Sequence, residues 1–229
     1  MLLFSRGQFV AVFVGYNESI WPVQIVAYSL GFFAITLLFR PGAATDRLVS
    51  AILALFWVWT GIVYHWLFFS EINTAAYLFG ALFLAQGVCL AIVGVLQGLL
   101  RFGFRRSMRQ WIGIAFLSYA AVAYPMIGIL SGHAYVELPM FGVTPCPVTI
   151  FTFGMLLLAT KPIPRLVLAV PFVWSLIGGS AAVLLSVPQD WLLLVSGLIS
   201  IPLIVLSERE ALSVRTSQSI VPIQRHGME

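Results

Sequence analysis

Long apolar runs, separated by short polar and basic stretches, dominate this sequence. An α-helix of ~20 apolar residues crosses the ~30 Å hydrocarbon core of a bilayer and satisfies its own backbone there. The chain is 61% hydrophobic and 9% charged, whereas about a quarter of the residues in a soluble domain are charged. The sequence therefore predicts an all-α, polytopic transmembrane helix bundle. About seven spans are expected, at residues 22–39, 47–69, 74–98, 110–130, 145–160, 166–186 and 191–206.

The residues before the first run have the pattern of a short helix. Phe9, Phe13 and Tyr16 recur at helical spacing. Ser5 and Gln8 have the spacing of a capping box, in which each side chain accepts from the backbone N–H of the other residue. We therefore expect a short N-terminal helix that lies in the membrane interface.

The basic residues predict the orientation. With seven spans, alternate loops place eleven of the 12 Lys and Arg residues on one side and only Arg6 on the other. Lys and Arg are enriched in cytoplasmic loops, so the N-terminus is predicted outside and the C-terminus in the cytoplasm. The run at 145–160 is short, but a re-entrant segment there would divide the basic residues equally. We expect one membrane-embedded domain over residues 1–206 and a cytoplasmic, disordered tail over 207–229.

The same basic residues bear on partners. They lie in short clusters between apolar runs, where they act as topology signals, so the expected partner is the lipid bilayer and not a nucleic acid. Gly80, Gly87 and Gly94 repeat at a fixed interval along one helix face. Small residues let helix backbones approach closely in a membrane. Such glycine-rich faces could pack within the chain, or against a membrane-protein partner or a second copy of the chain.

Several reactive side chains fall on the predicted outer face. An imidazole, carboxylate and thiolate set can bind a borderline or soft metal ion, but these side chains also anchor helices at the interface or face water. Their spacing matches no metal motif, so no cofactor is predicted and the metal remains unknown. The proposed ligand-binding residues are His65, Glu71, Asn73, His133, Glu137 and Cys146.

Cys146 lies between Pro145 and Pro147, at the predicted start of the short fifth span. We expect its thiol at the outer boundary and accessible to reagents, although Pro-Cys-Pro could simply build a helix entry. The sequence contains no phosphate-binding loop, zinc-protease motif or nucleophile elbow. We therefore predict no catalytic residue.

Four segments of the chain have distinctive sequences: YNESIWP at 16–22, YHWLFFSEINTAAYLFGALF at 64–83, PCPVTIFTFG at 145–154 and WSLIGGSAA at 174–182. Together they resemble a family of bacterial multi-pass membrane proteins classed as a domain of unknown function. The resemblance implies a bacterial inner membrane location and supports the helical architecture. It implies no activity, substrate or site residue.

These observations favour a non-enzymatic membrane protein whose outer face binds or passes a small solute or a metal ion. One alternative is a structural or accessory subunit that packs on another membrane protein through its glycine faces. A less favoured alternative is a membrane thiol enzyme that uses Cys146.

Overall fold

The computed structural model describes residues 4–40, 42–185 and 187–220. These residues form eight helices and no β-strand. Single 3-10 turns at Tyr135–Glu137 and Pro188–Asp190 precede α6 and α8. The helices are α1 (Arg6–Ser19), α2 (Val23–Leu37), α3 (Ala43–Glu71), α4 (Ala76–Leu96), α5 (Met108–Leu130), α6 (Pro145–Leu157), α7 (Leu166–Leu185) and α8 (Trp191–Ile220).

The start of α1 has the predicted capping box. The Gln8 N–H donates to Ser5 Oγ at 3.3 Å, and the Ser5 N–H donates to Gln8 Oε1 at 2.8 Å. The axes of α1 and α2 then differ by 85°. At the other end of the chain, α8 continues as helix through Ile220, into the region predicted to be a tail, and residues 221–229 lie outside the described residues.

Four of the helices are long and apolar enough to cross a membrane: α3, α4, α5 and the Trp191–Glu208 part of α8. The bent pair of α1 and α2 would make a fifth if it counts as one span. The apolar helical segments Pro145–Leu157 and Leu166–Ala182 are shorter. The prediction of about seven spans is therefore not supported by helix length. Hydropathy cannot separate a helix that faces lipid from one that is apolar because protein surrounds it.

The short helix α6 lies in the centre of the bundle. Every residue from Leu138 to Ala159 is buried, and α6 packs on α3, α5, α7 and α8. Trp57 on α3 donates from Nε1 to Thr152 Oγ1 at 2.9 Å. A Cβ added to Gly154 would lie 2.9 Å from the carbonyl oxygen of Gly113, so α5 and α6 are in backbone contact. The apolar character of α6 thus reflects protein neighbours on all sides.

The basic segment from Arg101 to Arg109, called the basic loop below, packs against the end of α6. Phe102 forms an antiparallel bridge with Ala159, and Arg109 donates to the carbonyl of Ala159. Asp46 accepts from the Phe102 N–H at 2.9 Å and pairs with Arg101 at 3.2 Å. An aspartate just before an apolar run commonly caps a helix, but α3 begins at Ala43, so Asp46 lies inside the helix and holds the basic loop instead.

The glycine stripe of α4 faces α3. A Cβ at Gly80 would meet the Gly61 carbonyl oxygen at 2.8 Å, and one at Gly87 would meet Val58 Cγ2 at 2.6 Å. At Gly94 the nearest atom would be Ser50 Oγ, at 2.3 Å. These three glycines therefore allow α4 to pack closely against α3 of the same chain.

The bundle is apolar on its surface as well as in its core. Large apolar side chains point outwards on α2, α4, α5 and α8, and Phe32 is 70% exposed. Amide and hydroxyl side chains are buried between helices; for example, Gln86 on α4 donates to the Val167 carbonyl on α7 at 2.9 Å. An exposed apolar surface of this extent indicates an apolar environment around the protein.

Candidate functional site

A cavity of about 230 Å³ lies at the end of the bundle opposite the basic loop. The end of α3, the start of α4, the start of α6 and the second half of α7 form its walls, and α1 covers it. Exposed Ser180 and half-buried Asn73 belong to the lining, so the cavity reaches the surface there. The lining residues are Phe4, Phe9, Phe13, Tyr64, His65, Phe69, Asn73, Phe79, Pro139, Pro145, Cys146, Trp174, Ile177, Gly178, Ser180, Ala181 and Asp190.

His65 is the most unusual side chain of this cavity. It lies on the π-helical part of α3, Thr60–Phe68, and is 0% exposed. Its ring centroid lies 4.8 Å from that of Phe83 and 5.2 Å from that of Trp174, both edge to face. Neither Nδ1 nor Nε2 has a hydrogen-bond partner in the described structure. Leaving a buried polar atom unpaired costs about 1–3 kcal/mol, so a hydrogen-bond partner for this imidazole would be stabilising.

A second unpaired donor lies beside His65. The Trp174 indole on α7 is buried, and its Nε1–H has no acceptor at normal hydrogen-bond geometry in the described structure. The Trp174 indole lies close to the sulfur of Cys146, which is a weak acceptor. The indole and the imidazole are therefore two neighbouring polar groups on a largely apolar wall.

Asp190 supplies the one carboxylate among the lining residues. It ends the 3-10 turn Pro188–Asp190, directly before α8, and is 5% exposed. The Tyr124 hydroxyl donates to its Oδ1, and the Cys146 thiol lies close by. Burial raises the pKa of Asp190 to about 6, against hydrogen bonds that act in the opposite direction. The carboxyl group of Asp190 therefore takes up a proton more readily than that of a solvated aspartate.

Cys146 occupies the first turn of α6, as predicted, but its thiol is buried. The prediction of an accessible thiol at the outer boundary is wrong, because other helices surround α6. Pro145 and Pro147 have no N–H group, so this turn can offer the cavity little more than the Cys146 N–H. The helix start is consequently a weak site for an anion.

The six predicted ligand-binding residues lie in three places. His65, Asn73 and Cys146 line the cavity. His133 and Glu137 pair with each other at 3.3 Å and line a separate cleft with Arg6. Glu71 lines a groove beside α1. Within the described residues, no three His, Cys, Asp or Glu side chains converge closely enough to hold a metal ion.

Tyr64, Trp174 and Asp190 were not among the predicted site residues. Asp190 follows Pro188 and Gln189 in what looks like an exposed turn, and an acid before a helix is usually solvated. The signal in the sequence was the position of Asp190 directly before an apolar run, which places its carboxylate at the end of the helix bundle. Trp174 and Tyr64 resemble ordinary core or interface aromatics, and the sequence contains no signal that singles them out.

A family model described as "Family of unknown function (DUF6064)" matches residues 6–215. The match covers every helix that lines the cavity. The search of curated proteins found no match. No solved structure matches either.

Proposed function

The chain belongs to the family of unknown function DUF6064, and we propose that it is a non-enzymatic integral membrane protein that binds a small, mostly apolar molecule in the cavity under α1. One observation carries this proposal: both ring nitrogens of the fully buried His65 lack a partner at the edge of a cavity of about 230 Å³. A ligand with a hydrogen-bonding group would satisfy the imidazole, and the aromatic walls would bury its apolar part.

Water could occupy the same space, because a cavity with polar groups can hold ordered water molecules. The composition of the lining argues for an organic ligand. Seven of the 17 lining residues carry rings on α1, α3, α4 and α7, and most of the other lining residues are apolar. Water gains little from such a surface. The alternative role as an accessory subunit has less support, because Gly80, Gly87 and Gly94 are already in contact with α3.

Binding of radiolabelled indole, an apolar molecule with one N–H donor, tests this function. We expect saturable binding to the protein in phosphatidylcholine nanodiscs, after subtraction of binding to empty nanodiscs. Ala181→Trp fills the cavity and should weaken binding about tenfold or more, and His65→Leu should weaken it by about tenfold, corresponding to one lost hydrogen bond. Leu198→Trp, at an exposed position of α8, is the matched control and should bind as the wild type does. Equal binding by all four proteins would refute the proposal.

For the location we propose a bacterial inner membrane, with the N-terminus outside and the C-terminus in the cytoplasm. The end of α3 and the starts of α4 and α6 line the cavity. Arg101 and Arg109 lie beside the opposite end of α6. Helix α6 thus runs from the cavity end to the basic end. The proposed topology has α6 crossing inside the protein, shielded from lipid, so that its short length is no obstacle. In this arrangement α1 lies in the outer interface.

A reporter that is active only in the cytoplasm checks this orientation. Fused after Glu229 it should be active, and inserted next to Gly132 it should be inactive. The reason is the strong preference of Lys and Arg for cytoplasmic loops. Activity at both positions would contradict an odd number of crossings.

A further inference from the structure

Asp190 has no cationic partner in the described part of the chain. The Arg–carboxylate pair found there, Asp46–Arg101, lies at the other end of the bundle, and the His133–Glu137 contact lies in the neighbouring cleft. Buried charges in proteins are paired, or they are neutralised by a proton. Tyr124 donates one hydrogen bond to Asp190 but brings no charge. The cavity therefore contains a buried acid whose counter-charge has to come from a proton or from a ligand.

The rest of the lining suits a cation better than an anion. Phe9, Phe13, Phe69 and Trp174 contribute aromatic rings to the walls, and the face of an aromatic ring attracts a positive charge. An anion would meet the Asp190 carboxylate, and the first turn of α6 contains prolines where it would need N–H donors. Arg6 lies in the neighbouring cleft with His133 and Glu137, and it is not among the residues that line this cavity.

We propose that the ligand of this cavity is a small lipophilic ammonium ion, whose cationic group pairs with Asp190 and whose apolar part lies against the aromatic walls. This inference rests on the proposed function, because it needs the same cavity to be a binding site. It adds the chemical class of the ligand and the residue that selects for it.

Two probes of almost the same shape separate charge from apolar binding. Phenethyltrimethylammonium carries a fixed positive charge, and 3,3-dimethylbutylbenzene replaces its nitrogen by carbon. Asp190→Asn keeps the size of the side chain and removes its charge. In phosphatidylcholine nanodiscs this variant should bind the cation about 10–100-fold more weakly, as expected for loss of one partner of a buried charge pair. Its affinity for the neutral probe should stay within about twofold of the wild-type value. Glu71→Gln, which removes a carboxylate outside the cavity, should leave both affinities unchanged.

The pH dependence gives a second measurement on the unmutated protein. Because burial raises the pKa of Asp190 to about 6, the group is charged above that pH and protonated below it. Affinity for the ammonium probe should therefore fall as the pH is lowered from 7 to 5, and affinity for the neutral probe should not. Tyr124 and Tyr119 on α5, Cys146 on α6, and Tyr64 and His65 on α3 are the titratable groups around Asp190 and the cavity. If the dependence arises at Asp190, Asp190→Asn abolishes it.

The outcomes distinguish this inference from the function on which it rests. Equal binding of the two probes, with no effect of Asp190→Asn, would overturn the cationic ligand and leave apolar binding intact. Failure of indole and of both probes to bind the wild type would overturn both proposals. If Asp190→Asn does not fold, as judged by loss of the neutral probe, the wild-type pH titration decides: a constant affinity for the cation between pH 7 and 5 refutes the inference.

Discussion

Replacing Gly154 by leucine is expected to cost at least about 3 kcal/mol of stability, at the upper end of the usual range for overpacking. A Cβ at this position would lie 2.8 Å from Leu117 Cδ2 and 2.9 Å from the carbonyl oxygen of Gly113. The second contact is with backbone, so a rotamer change cannot relieve it. Because α6 is buried on every side, moving it away from α5 would disturb its contacts with α3, α7 and α8.

Thermal unfolding in detergent, followed by the loss of monodisperse protein on size exclusion, measures this effect. The matched control is Gly15→Leu on α1, where a Cβ would meet nothing within 4 Å. We expect the control to unfold close to the wild-type temperature and Gly154→Leu to unfold far below it, or to be recovered only as aggregate. Equal melting temperatures for the two variants would mean that α5 and α6 are not in backbone contact.

Asn17→Leu is expected to cost about 2–5 kcal/mol and to release α1 from the protein. The Asn17 Nδ2 group donates to the carbonyls of Val136 and Leu138, each at 2.8 Å. Leucine has a similar size but no hydrogen-bond donor, so each of the two carbonyls would lose its bond to Asn17. A carbonyl that stays buried without a partner costs about 1–3 kcal/mol. Helix α1 contributes Phe9 and Phe13 to the cavity, so indole binding should weaken together with the stability.

Hydrogen exchange of the α1 amides reports the release directly, and the melting temperature reports the loss of stability. Glu18→Leu, at the exposed neighbouring position, is the control for an added apolar side chain and should leave exchange unchanged. Asn17→Asp keeps the shape but places an oxygen against two carbonyl oxygens, so it should be at least as destabilising as Asn17→Leu. Wild-type exchange in both Asn17 variants would show that α1 is held by other contacts.

Much of the local structure could be predicted from the sequence. Each apolar run became a helix, because only internal hydrogen bonding satisfies the backbone in an apolar environment. The Ser5–Gln8 cap formed as expected, since it depends on two residues that are near neighbours in the chain. The glycine stripe of α4 likewise had to face a close neighbour, although the sequence did not identify α3 as that neighbour.

The site was predicted only in part. His65, Asn73 and Cys146 were selected for their chemistry and do line one cavity. Glu71, His133 and Glu137 were selected for the same reason and lie elsewhere. Both sets were predicted at the same end of the bundle. Two residues at the same end can still lie as far apart as the protein is wide.

The sequence by itself determined the helical class of the protein, its family and the approximate positions of its helices up to residue 206, because hydropathy, periodicity and capping are properties of neighbouring residues. Only the tertiary structure decided that α6 is enclosed by protein, that α1 covers a cavity and that Asp190 is buried in it. Those properties depend on how closely the helices approach one another. Close contacts such as Gly113 with Gly154 set that approach, and they join residues that are far apart in the chain. A carboxylate at the start of a helix has the same local sequence whether water or an aromatic wall surrounds it.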